Sequence, residues 1–140
     1  GLQDTIESAL DKHGEILLLD LHTASPNRMG EYEVVVGTRG SATADRAIIE
    51  RIVDFVAAAG VKVHEDVPGY GGGHIVRRYG EDGRPDVHAI QIEINSGMLM
   101  TTPRDELVPR LIRGERPERH HENIERMQRC LATIIVEAMG

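Results

Sequence analysis

The sequence predicts an α/β layer structure with a largely parallel sheet, and three observations predict it. Short apolar runs with strand character recur along the chain, amphipathic segments with a 3.6-residue repeat separate them, and glycines or prolines punctuate the junctions. Leu2, Ile6, Ala9 and Leu10 follow helical spacing, and Gly14 supplies a stop. Ile16-Leu17-Leu18-Leu19 reads as a buried strand running into the polar Asp20 and His22. Segment 23–31, rich in Ser, Pro, Asn and Gly, is expected as a loop, and 32–36 as the next strand. Ile48, Ile52, Phe55, Val56 and Ala59 mark one face of a helix over about 44–59, ended by Gly60, with a third strand entering at 61–63. Four glycines within residues 68–73 predict an irregular loop able to approach a ligand closely. The clearest strand is 87–95, where Ile90, Ile92 and Ile94 alternate with Gln91, Glu93 and Asn95. Thr102-Pro103 with Asp105 predicts a helix start. A last helix, about 118–138, is expected to bury Ile124, Met127, Leu131, Ile134 and Ile135.

Composition narrows the function classes. The 140 residues suffice for one modest domain, and 16 Lys and Arg against 23 Asp and Glu give a formal net charge of −7. That balance argues against a general nucleic-acid binder, which needs a basic surface. No apolar run is long enough to span a bilayer and no export signal is visible, so neither a membrane partner nor export is expected, and the cytoplasm is the expected compartment. A single cysteine, Cys130, excludes an internal disulfide framework and an all-cysteine zinc site. With Tyr32, Phe55, Tyr70 and Tyr79 as the aromatics, the core must be aliphatic. The first residue is Gly1 rather than Met, which suggests a processed product or an excised piece.

Three groups of residues have the makings of chemistry. Asp20 and His22 are two apart at the end of an apolar strand, hence on one face of it. A histidine there can ligate zinc while a nearby carboxylate fixes its tautomer, or it can simply be satisfied by a backbone carbonyl. Glu93 lies between Gln91 and Asn95 on the polar face of its strand. Desolvated, it is placed for general-base work; solvated, it is an ordinary polar face. The loop Pro68-Gly69-Tyr70-Gly71-Gly72-Gly73-His74, followed by Arg77-Arg78-Tyr79, can present backbone amides and an arginine fork to a substrate carboxylate, or be a surface turn before a short basic helix. It lacks the spacing and the lysine of a phosphate-cradling loop. His120 and His121 are adjacent on a helix and cannot easily serve one ion. His13 and His64 read as structural, His88 as a support residue on the opposite face from Glu93, Cys130 as a buried inert thiol, and Met98 and Met100 as core.

In order and spacing, five stretches between about residues 16 and 100 resemble the N-formylglutamate amidohydrolase family. They are Leu19-Asp20-Leu21-His22-Thr23, Gly40-Ser41-Ala42, Pro68-Gly69-Tyr70-Gly71-Gly72, Tyr79-Gly80 and Val87-His88-Ala89-Ile90-Gln91-Ile92-Glu93-Ile94-Asn95. The resemblance implies a three-layer α/β fold with a central mixed, largely parallel sheet, similar to zinc carboxypeptidases. It implies a Zn²⁺-dependent amidohydrolase cleaving the C–N bond of a small acidic N-acyl amino acid such as N-formyl-L-glutamate. His22 maps to the metal ligand, Glu93 to the catalytic carboxylate, and Asp20 to a support for His22. Tyr70, Gly71, Gly72, Arg77, Arg78 and Asn95 map to substrate binding. The family takes further metal ligands from a segment preceding the first matching strand, so residues 1–140 are expected to be either one domain or the C-terminal portion of an amidohydrolase domain, incomplete at the N-terminus. Members also carry Arg and Tyr where this chain has Ser96 and Leu99, which opens the question of substrate specificity. The alternatives are an N-acetylmuramoyl-L-alanine amidase-like hydrolase and an inactive binding module lacking the metal ligands.

Overall fold

A computed structural model describes all 140 residues, the side chain of Arg104 excepted. Four strands form one mixed sheet: β1 (Ile16–Ala24), β2 (Val34–Gly37), β3 (Val63–Glu65) and β4 (Val87–Asn95), in the spatial order β1-β4-β2-β3. β1 runs parallel to β4 and β2 parallel to β3, while β4 and β2 are antiparallel. The principal helices are α1 (Leu2–His13), α3 (Arg46–Ala58), α5 (Arg104–Ile112) and α6 (His121–Glu137), with two short ones, α2 (Pro26–Met29) and α4 (His74–Val76). α4 continues into a π-helical turn, Arg77–Glu81. The expectation of an α/β fold on a mixed sheet is met.

Period-two alternation assigns each face of β4 to a different layer. Ile90, Ile92 and Ile94 join Val34 and Val36 of β2 against Ile49, Ile52 and Val56 of α3 and Met127, Cys130 and Ile134 of α6. Val87, on the opposite face, packs with Ile6 and Leu10 of α1. Helices therefore cover both faces, and the core is aliphatic as composition requires. The α1 face is covered only at the start of β4. Further along the same face the strand carries Gln91 and Glu93.

Four details depart from the sequence reading. β1 reaches Ala24 as an edge strand, with Leu21 50 % exposed, because β4 pairs with one side of it only. Segment 23–31 holds the α2 turn, which buries Met29. The second and third strands each begin two residues later than expected, at Val34 and Val63. Ile135 is 71 % exposed: the buried stripe of the last helix runs through Met127, Cys130, Ile134 and Ala138, and Ile135 sits about 100° round from Ile134.

Candidate active site

Parallel pairing of β1 with β4 sets Asp20 opposite Gln91 and His22 opposite Glu93. Parallel partners point the same way, so four polar side chains share one face at the C-terminal halves of two adjacent strands. His22 Nε2 lies 2.9 Å from Asp20 Oδ1, and Nδ1 makes no hydrogen bond among the described residues. Gln91 Nε2 donates to Glu93 Oε2 at 3.1 Å, while Gln91 Oε1 accepts from the Gly73 amide at 2.9 Å. Glu93 is 6 % exposed, which settles the polar-face question in favour of an interior carboxylate. Burial pushes its carboxyl above the usual glutamate range; charge on His22 and the Gln91 donor pull the other way, and Asp20 pushes it further up. An interior acid that readily takes a proton is suited to base and acid chemistry at one carbonyl centre.

The glycine loop packs directly on this face. A Cβ on Gly37, at the end of β2, would lie 2.6 Å from the Gly72 amide nitrogen, so Gly37 must lack a side chain for the loop to sit there. Gly72 itself has φ +107°, in the region that favours glycine. The loop is joined to the Glu93 carboxylate through Gly73 and Gln91.

The two arginines of the sequence reading separate in role. Both line a cavity of about 550 Å³ between α1 and the π-helical turn, together with His74, Tyr79, Gln3 and Glu7. Arg77 is paired with Asp82 at 3.3 Å. Arg78 has no carboxylate partner among the described residues and lies 5.5 Å from the centre of the Tyr79 ring. Asn95 shares the Glu93 face, yet its amide is committed to the chain: Nδ2 donates to the Tyr32 carbonyl at 3.0 Å and Oδ1 accepts from the Gly97 amide at 2.9 Å. Tyr70 is half-buried in the loop, its amide donating to the Val67 carbonyl. A second cavity, about 580 Å³, opens at the C-terminal ends of β1 and β4 and is lined by Thr23, Ser25, Ser96, Thr102 and His120.

Metal donors cluster elsewhere. Among the described residues, three ligand atoms come within 4.8 Å of one another at Glu15, Asp45 and His88, not at His22. The bonding of His88 argues against a metal there. Its Nδ1 accepts the Asp45 amide hydrogen at 3.1 Å, so the neutral ring carries its proton on Nε2 and donates it to Glu15 at 2.6 Å. A metal on Nε2 would force that proton onto Nδ1, against the Asp45 N–H. His88 is thus a brace joining β4, the start of α3 and the α1–β1 turn, on the face opposite Glu93. Among the described residues, the donors near His22 do not complete the three protein ligands of a catalytic zinc. The Cys130 thiol is buried, as expected, and burial pushes it up.

The layered α/β sheet sets an interior carboxylate beside a histidine–aspartate pair on one face of two parallel strands. The chain belongs to the N-formylglutamate amidohydrolase family, which it matches over residues 1–100. The crystal structure of N-formylglutamate amidohydrolase from Ralstonia eutropha JMP134 has the same fold, with a TM-score of 0.76 at 19 % sequence identity. The match covers 99 % of this chain and 48 % of that one, so the chain spans about half the length of the solved relative. No curated protein matches the sequence. Among the described residues no helix is long and apolar enough to cross a membrane.

Proposed function

We propose that this chain carries the general-base half of an amidohydrolase site acting on a small acidic N-acyl amino acid, N-formyl-L-glutamate being the first substrate to test. The observation that carries the reading is the interior Glu93, opposite His22 in register and fed by the Gln91 amide. Glu93 takes a proton from the attacking water as oxygen adds to the acyl carbonyl. It returns that proton to the amine nitrogen as the C–N bond breaks, leaving formate or another short carboxylate and the free amino acid. Asp20, on Nε2, fixes the ring of His22 so that Nδ1 is the nitrogen left for substrate or metal. Arg78 has no acidic partner among the described residues but lines a cavity at the start of β4 that none of Asp20, His22, Gln91 and Glu93 lines, so the substrate carboxylate is not assigned to it. Zinc belongs to the proposal through His22, with donors beyond those this chain brings there.

The incomplete donor set favours one second reading, a binding module that keeps the scaffold without turnover. Formate release from N-formyl-L-glutamate, measured on the chain with and without added zinc, separates the two. The hydrolase reading expects release that Glu93→Gln lowers by about 10²- to 10⁴-fold. Release that survives Glu93→Gln removes Glu93 as the base, and no release under either condition favours the binding module.

A further inference from the structure

The turn after β2 is held in an unusual backbone conformation. Arg39, Gly40 and Ser41 have φ of 51°, 70° and 66°, three successive residues in the left-handed region although two of them carry side chains. The Asp66 carboxylate holds the turn at Thr38 and Gly40, and the Thr38 hydroxyl oxygen accepts the Ser41 amide at 3.0 Å. Asp66 Oδ1 accepts the Thr38 amide at 2.7 Å, and Oδ2 accepts both the Thr38 hydroxyl at 2.7 Å and the Gly40 amide at 3.0 Å. The turn in turn grips the glycine loop. The Arg39 amide donates to the Gly71 carbonyl at 2.8 Å, and a Cβ on Gly72 would lie 3.1 Å from Arg39 Cγ, so the arginine stem lies against the loop. The Arg39 guanidinium is tied to Glu81 in the π-helical turn, which closes the clasp from the other side.

The loop's last hydrogen bond reaches the site. With Gly73 N–H fixing Gln91 Oε1, the amide of Gln91 has only its NH₂ end left to offer Glu93. We propose that Asp66 is a positioning residue for Glu93: it shapes the 38–41 turn, the turn seats the glycine loop, and the seated loop orients Gln91 toward the carboxylate. The inference rests on the hydrolase reading for its catalytic consequence, but the clasp itself is a property of the fold.

Asp66→Asn leaves one acceptor for two backbone N–H groups, those of Thr38 and Gly40. Amide hydrogen exchange on the full chain is the test, with Thr38→Val as the milder second variant because it keeps the Asp66 carboxylate and its two backbone bonds and removes only those of the Thr38 hydroxyl, its donation to Asp66 and its acceptance of the Ser41 N–H. The expected result is exchange at Arg39 and Gly73 faster by at least about tenfold, with α6 amides unchanged. Where the parent releases formate, kcat is expected to fall about tenfold with KM little altered, and the fall to vanish in a Gln91→Met background, since coupled residues are not additive. Unchanged protection at Arg39 and Gly73 in both variants overturns the clasp, as does a uniform rise across the whole chain in both. A kcat loss that persists undiminished in Gln91→Met overturns the route through Gln91. A parent without turnover sinks the hydrolase reading and leaves the exchange result to decide the clasp.

Discussion

Gly37→Ala tests the seating of the loop through a contact with no give in it. The added Cβ meets the Gly72 nitrogen at 2.6 Å and the Gly71 carbonyl carbon and Gly72 Cα at 3.0 Å, all of them backbone atoms. To restore an ordinary contact of 3.4 Å, the loop must retreat by 3.4 − 2.6 = 0.8 Å. It is pinned at both ends, by Arg39 N–H on Gly71 and by Gln91 Oε1 on Gly73, so a retreat of that size sacrifices the 2.9 Å bond to Gln91. Overpacking costs about 1–3 kcal/mol and the lost hydrogen bond about 1 kcal/mol more. For a domain of this size a loss of about 3 kcal/mol lowers Tm by roughly 10 °C. Thermal unfolding followed by circular dichroism measures it. A Tm within about 1 °C of the parent would refute the reasoning, because it would mean that the loop does not press on β2.

Three further outcomes are expected. Ile134→Ala should cost about 2–5 kcal/mol in chemical denaturation whereas Ile135→Ala, at 71 % exposure, should change it by less than about 0.5 kcal/mol. His88→Leu leaves the Asp45 N–H without its acceptor and should destabilise by about 1–3 kcal/mol, and calorimetry with zinc should find no site at Glu15, Asp45 and His88 in the parent. The carboxyl of Glu93 is raised by burial above its ordinary 4.5, so the folded state binds its proton more tightly than the unfolded chain. Its contribution therefore lowers stability as pH climbs from 4.5 through the raised value, and denaturation across that window should show Glu93→Gln gaining on the parent as pH rises.

Much of this architecture was readable because local patterns agreed with the fold. The alternation in 87–95 predicted β4 to the residue, and Gly14, with φ 77°, ends α1 where the sequence placed a stop. The spacing of Asp20 and His22, and of Gln91 and Glu93, put each pair on one face of its strand. Sequence could not show that the two faces are the same one. That follows from the parallel register of β1 and β4, separated by some sixty residues of intervening chain. The same nonlocal fact makes β1 an edge strand and exposes Leu21. Arg77 and Arg78 looked equivalent until Asp82 neutralised one of them. Asp66 carried no motif: its role depends on a turn 28 positions earlier, and its only sequence-level trace is an acid just before the Gly-rich segment.

The account stands on Glu93 being an interior carboxylate that feels the charge of His22. Carbon-13 NMR of the side-chain carboxyl through a pH titration measures this directly, in the parent and in His22→Gln. The account predicts a midpoint above the ordinary glutamate value in the parent and higher still in the variant, which loses the charge that pulls it down. An ordinary midpoint in the parent, unmoved by His22→Gln, would contradict it.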